Sequence, residues 1–180
     1  MLEEFKDIMD PRMLPSRRKY LYYYIVGLVD GEGCFSISIK KQDDAKFGWV
    51  VDPVFYVTQN KEKWQILEIL RRTFKCGRII PKPGQESTVL QYVVDARRNL
   101  AEKIVPFFKK YKPIIKWGDF EKFAEIVEDL ERGKHRDAEG LKEIIKKSYE
   151  MSGDRKYKIE EIFYEIDRRV GASETIRRAP

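Results

Sequence analysis

From Arg17 to Gly31 apolar positions recur with helical spacing on more than one face of the chain. Leu21, Ile25 and Leu28 form one stripe, and Tyr22, Val26 and Val29 form a second. Tyr20, Tyr24, Gly27 and Gly31 form a third, ending in small residues four apart. A helix that is apolar on most sides is buried on most sides, in a core or against a partner. The glycine spacing either lets another backbone approach closely or serves packing and capping within the chain. After Gly33 the period changes to two: Cys34, Ser36, Ser38, Lys40 and Gln42 fall on one face, Phe35, Ile37 and Ile39 on the other. A polar linker leads to a second such run, Trp49–Gln59. There Val51, Pro53, Phe55 and Val57 oppose Asp52, Val54, Tyr56 and Thr58. Pro53 predicts an edge position or a bulge, because proline cannot donate to a ladder.

Residues 61–75 read as a helix with Trp64, Leu67, Leu70 and Phe74 inward and Gly77 near its end. Strands at 78–82 and 88–95 flank the turn Pro81-Lys82-Pro83-Gly84, and a helix over 97–110 comes next with Asp95 as its cap. Three more helices are predicted at 116–132, 138–151 and 155–169, the last two capped by Asp137 and Asp154. The element order from 17 to 110 is α-β-β-α-β-β-α, an α+β arrangement without internal repeat. The expected partition is a leader at 1–16 broken by Pro11 and Pro15, a core at 17–132, a helical extension at 133–170 and a basic tail at 171–180.

Composition narrows the function classes. With 180 residues, 42% hydrophobic and 13% aromatic, the chain can build a core of one domain plus an extension. No apolar run approaches the roughly 20 residues of a membrane helix. The N-terminus lacks a signal-peptide apolar stretch, so a cytoplasmic, nucleoid-associated protein with no membrane partner is expected. Cys34, Cys76 and a single histidine, His135, exclude a disulfide framework, a four-cysteine zinc site and a His-rich metal site. Thirty-six Lys and Arg against 30 Asp and Glu give +6, which suits a polyanionic partner. The 37% charged content with few Asn is also thermophile-like.

Against that basic background, Asp30-Gly31-Glu32-Gly33 places two acids at the C-terminal, negative end of the buried helix. Either Asp30 bonds nearby backbone N–H groups while Glu32 faces solvent, or the acids hold a hard divalent cation, which prefers oxygen ligands. Such a cation attracts a phosphate that bare carboxylates repel.

The nine residues Ile25-Val26-Gly27-Leu28-Val29-Asp30-Gly31-Glu32-Gly33 resemble the LAGLIDADG motif, with both glycines and both acidic positions kept. With the element order downstream of it, residues 17–130 resemble the single-motif LAGLIDADG homing endonucleases, intron-encoded enzymes, and the composition is similar to archaeal members. Phe55–Asn60 is similar to the family's second-strand ending and Ile104–Tyr111 to its third-helix ending. The resemblance implies an αββαββα LAGLIDADG homing endonuclease-like fold, a curved four-stranded antiparallel DNA-binding sheet and added C-terminal helices. It implies magnesium, or another divalent cation, on Glu32 and the Gly31 carbonyl, with Asp30 supporting the helix end. Gln59 then orients water around the scissile phosphate and Lys63 polarises that water; the remaining basic residue is Lys112 or Lys116.

In this reading the sheet recognises DNA through Ser36, Ser38, Lys40, Gln42, Tyr56, Thr58, Arg78, Lys82 and Gln91. A solvated sheet face shows the same alternation. One motif supplies one acidic set, whereas cutting two strands requires two. A C2 homodimer is therefore expected, with Tyr24, Gly27 and Gly31 at its interface and a long, roughly palindromic double-stranded target. The implied reaction is metal-dependent phosphodiester hydrolysis leaving short 3′ overhangs, which initiates intron mobility. The alternatives are a maturase that binds intron RNA and a non-catalytic DNA-binding protein on the same fold.

Overall fold

A computed structural model describes residues 3–153 and 155–178. The apolar stripes fold as α1 (Arg18–Glu32), followed by β1 (Gly33–Lys41), β2 (Trp49–Asn60), α2 (Gln65–Phe74), β3 (Arg78–Pro81) and β4 (Val89–Val94). The third helical stretch is continuous but mixed: α3 (Arg97–Asn99), a π-helical turn (Leu100–Ile104) and α4 (Val105–Lys110). Then come α5 (Trp117–Glu131), α6 (Ala138–Tyr149) and α7 (Ile159–Arg178). The four strands form one sheet in the order β1-β2-β4-β3. Contacts group into two units: residues 1–36 with 54–120, and residues 37–53 with 121–180.

In the first unit the period-two pattern decides which side of each strand is buried. Phe55, Val57 and Tyr92 are buried, whereas Tyr56, Thr58 and Gln91 are half-exposed on the opposite side. The register pairs Tyr56 with Val93 and Thr58 with Gln91, and Gln91 Nε2 donates to Thr58 Oγ1 at 3.1 Å. Beneath the sheet Phe35 stacks on Phe55 with 5.2 Å between centroids and meets Phe108 and Phe120 at 5.2 and 5.1 Å. Offset and edge-on aromatic pairs of this kind add to the burial energy itself. Helix α2 closes at Lys75, which adopts φ 51°, and Gly77 comes next where the chain passes the Tyr92 ring. A Cβ on Gly77 would lie 2.6 Å from that ring.

The second unit answers what the C-terminal helices support. Trp49 packs edge-on against Tyr157 at 4.9 Å, and Ile144, Ile145, Ile162 and Ile166 are buried. The β1–β2 hairpin turn is held from α7: Arg169 donates to the carbonyls of Asp43 and Ala45 at 2.9 and 3.2 Å. Lys41 bonds Glu165 at 2.7 Å.

Pro53 lies in an inner strand, yet at an edge position of it. It is tolerated because β4 pairs with β2 only from Phe55 onward. Other expectations need correction. The helix expected to be capped by Asp95 has Ala96 at its N-cap position, and the Asp95 carboxylate pairs with Arg78. Asp137 does cap α6, accepting from Gly140 N–H at 2.8 Å. Asp154 lies outside the described residues. The last helix runs on to Arg178, through much of the stretch expected to be a tail. The leader carries two 3₁₀ turns and inserts Phe5 into the core, where Arg72 grips the Glu4 carbonyl and Asp7.

Phe35 touches three other buried rings, so Phe35→Ala should cost about 3–5 kcal/mol in urea unfolding. A loss below about 1 kcal/mol would show that this cluster does not anchor the unit.

Candidate active site

The C-terminal end of α1 is where the structure separates the two acids. Asp30 is half-buried and accepts three backbone N–H bonds: from Ile114 at 2.7 Å, Ile115 at 3.1 Å and Lys116 at 3.1 Å. Those residues form the turn entering α5, which starts at Trp117. A carboxylate opposed by the negative end of its own helix is thus stabilised by the donors at the start of another. Glu32, two residues on, is exposed and has no hydrogen-bond or ion-pair partner among the described residues. Of the two readings of the motif, the structure gives Asp30 the amides and leaves Glu32 available.

An exposed carboxylate and free carbonyls are hard oxygen donors, which fits a divalent cation. The Gly31 carbonyl belongs to the last turn of α1, whose carbonyls have no helical donor. Among the described residues no group of three or more His, Cys, Asp and Glu gathers in one place, so one copy offers a small donor set.

The β1–β2 hairpin brings further groups to this end of the sheet. Its far end closes with Gln42 N–H on the Gly48 carbonyl at 2.8 Å, so the start of β1 and the end of β2 are neighbours. Gln59 stands there, its Oε1 accepting from Asn60 N–H at 2.9 Å, which leaves its amide N–H₂ to donate. Lys63 is exposed at the end of the 3₁₀ turn Lys61–Lys63, which is tied to the β3–β4 turn by Lys61 N–H on the Thr88 carbonyl at 2.8 Å. The two lysine candidates after α4 differ in anchoring. Lys112 is exposed with its ammonium 4.5 Å from the Trp117 ring centre, whereas the Lys116 backbone is bonded to Asp30.

In the first unit the burial alternation puts Ser36 on β1 and Tyr56 and Thr58 on β2 on the less buried side of their strands, and Arg78 is exposed on β3; in the second unit Ser38 and Lys40 are on the less buried side of β1. Gln42 and Lys82 stand in turns, and Lys82 N–H bonds the Val89 carbonyl at 3.0 Å. Tyr56 hydrogen-bonds Cys34, which with burial pushes its pKa up to about 12 and keeps it a neutral hydroxyl. Pairings that sequence reasoning missed are Lys40 with Asp52, and Arg78 with Asp95 through two bonds of 2.7 and 2.6 Å. Cross-strand register was the only signal for them, and it is not written in either strand alone.

The exposed face of α1 is equally informative. Tyr20, Tyr23 and Tyr24 are each about half exposed, and a Cβ on Gly27 or Gly31 would meet nothing within 4 Å. Among the described residues the glycine stripe is therefore not used for packing. Beside it, Ile114 and Ile115 are 86% and 81% exposed, although their amides are fixed on Asp30.

Comparison with known proteins places this arrangement. Residues 25–127 match the LAGLIDADG endonuclease family. Homing endonuclease I-ApeII of Aeropyrum pernix is 40% identical over 146 residues, 77% of this chain and 86% of that protein. The structure of the archaeal intron-encoded homing endonuclease I-Vdi141I complexed with DNA superposes with a TM-score of 0.80 at 36% identity, covering 86% of this chain and 99% of that one. The homing endonuclease I-TnaI gives a TM-score of 0.69 at 31% identity, with coverage of 84% and 96%. The chain belongs to the LAGLIDADG homing endonuclease family and is a site-specific DNA endonuclease. Among the described residues no helix is long and apolar enough to cross a membrane.

The contrast between the acids yields a double test. Asp30→Ala should destabilise the fold by about 1.5–3 kcal/mol through the lost charged hydrogen bonds. Glu32→Gln should leave unfolding within about 0.5 kcal/mol of wild type, as expected at an exposed position. Equal destabilisation by both would refute the separation of roles.

Proposed function

We propose that the chain acts as a homodimer that uses a divalent cation, magnesium in the first instance, to cut both strands of a long, roughly palindromic DNA site. The observation that carries this reading is the division between the acids: Asp30 fully engaged by amides, Glu32 exposed and unpaired. Glu32 and the Gly31 carbonyl would hold the cation. When bound, it would lower the pKa of water and polarise the scissile phosphate.

The chain's own groups prepare the rest. Gln59, with its oxygen already taken by Asn60, turns its N–H₂ toward water or phosphate oxygen and so fixes their orientation. Lys63 places a positive charge at the same end of the sheet, where charge on the phosphoryl oxygens increases. Between the two remaining lysines we favour Lys116, since its backbone is fixed on Asp30 and its side chain therefore starts from a defined point. The outer sheet face, with hydroxyl, amide and cationic groups, reads base edges in the major groove. Cleavage leaves short 3′ overhangs and initiates insertion of the intron that encodes the protein.

The homodimer is supported by the bare face of α1. Tyr20, Tyr24, Gly27 and Gly31 are exposed together, and the rigidly held Ile114 and Ile115 extend the apolar surface at its end. Large apolar groups fixed in place and left in water lose about 25 cal/mol per Å² that a partner surface would recover. A second copy supplies the second Glu32 as well, one for each strand.

Cleavage of a partly randomised duplex pool tests the reaction. Cutting should require a divalent cation, stop with EDTA and fall at least about 10³-fold in Glu32→Gln, the range of a lost transition-state interaction. Equal cutting by Glu32→Gln would remove Glu32 from the site. Sedimentation should give a particle of twice 21.4 kDa. Gly27→Leu should shift it to monomer, and a wild-type monomer at micromolar concentration would exclude the dimer.

A further inference from the structure

The reading face carries acids as well as bases, and in a protein that meets a polyanion those acids need a reason. Asp95 stands two residues beyond Val93, which is opposite both Tyr56 and Arg78 in the register. Asp95 lies just past the end of β4, and its pairing with Arg78 sets it beside that side chain. The N-cap of the helix after it is Ala96. The two Asp95 oxygens receive Nη1 and Nη2 of Arg78 at 2.7 and 2.6 Å, with side chains 38% and 54% exposed. Net stability is a poor explanation, because exposed ion pairs contribute little to folding. A carboxylate on this face also repels DNA phosphates, so non-specific affinity is lowered by its presence.

The pair has a chemical meaning in the major groove. A G·C pair presents the guanine N7 and O6 acceptors beside the cytosine N4 donor. A guanidinium beside a carboxylate presents donors beside an acceptor, which is the complement of that edge. Arginine has five N–H donors, and Asp95 takes two, so three remain for guanine. The doubly bonded carboxylate also restricts the Arg78 rotamer, so the donors are oriented before DNA arrives. Lys40 and Asp52 repeat the combination on β1 and β2.

We propose that Arg78 and Asp95 act as one specificity-determining unit that selects a G·C base pair in each half-site. The proposal rests on the reading of the outer sheet face as the DNA surface. Asp95 works in two ways: it positions Arg78, and it penalises sites where the opposing edge offers no donor to its oxygens. Its removal therefore loosens sequence choice while strengthening binding to mixed DNA. Removal of Arg78 abolishes the preference altogether.

Selection of bound duplexes from a pool randomised across one half-site, in magnesium-free buffer, distinguishes the outcomes. Wild type should retain a G·C pair at one position by about tenfold or more, as a good bidentate contact discriminates. Asp95→Asn should reduce that preference to about threefold at this position alone, with affinity for unselected duplex raised severalfold. Arg78→Ala, with or without Asp95→Asn, should show no preference there and keep the others. Two results overturn the proposal: a wild-type profile unchanged in Asp95→Asn, or an Arg78→Ala variant weakened equally on every sequence, which marks a phosphate contact. A wild type without preference at any position would overturn the DNA-surface reading itself. Thermal melting of each variant should match wild type, since the contact is an exposed ion pair.

Discussion

Three hydrogen bonds to one carboxylate organise this enzyme. Asp30 sits where its own helix opposes it, and only the amides of residues 114–116 make that position tolerable. In accepting them it joins the end of α1 to the entry of α5 across more than eighty residues of sequence. The consequences spread from that joint. Glu32 is released from any structural duty, Lys116 acquires a fixed backbone, and Ile114 and Ile115 are presented at the edge of the glycine stripe. The proposed metal ligand, the proposed basic residue and the proposed partner surface are all assembled around one half-buried acceptor.

The elements themselves were legible because their signals were local. The shift from helical period to period two at Gly33 marks the boundary between α1 and β1, and the alternation in β2 identifies every inward residue from Val51 to Val57. Strand ends differ from expectation by a residue or two. The helix entered through Asp137 has the cap its sequence suggests. The acidic motif was also legible, since two carboxylates beside glycines at a helix end conflict with the dipole rule in a basic protein.

The features that stayed hidden were decided by partners distant in sequence. Whether Asp30 meets amides or metal depends on a turn that no spacing rule connects to it. Asp95 has the position of a cap, and only the sheet order, which sets β3 beside β4, gives it Arg78 instead. Pro53 reads as an edge residue and is one on the β4 side, but the pattern cannot reveal that its strand is an inner one that β4 is too short to follow. In the same way the pairing of Arg169 with the hairpin carbonyls lies beyond any local signal.

The π-helical turn Leu100–Ile104 has a further meaning for how such a chain can change over generations. A π turn holds one residue more than the α turn it replaces, and each residue of a helix rotates the downstream chain by roughly 100°. Phe107 and Phe108, which meet Phe74 at 5.0 Å and Phe35 at 5.2 Å, are aimed by that surplus residue. Deleting one residue here would not merely shorten the helix; it would turn both rings away from the core and leave the basic end of α4 facing elsewhere. A residue in this turn is therefore hard to remove without repacking the aromatic core around a rotated helix.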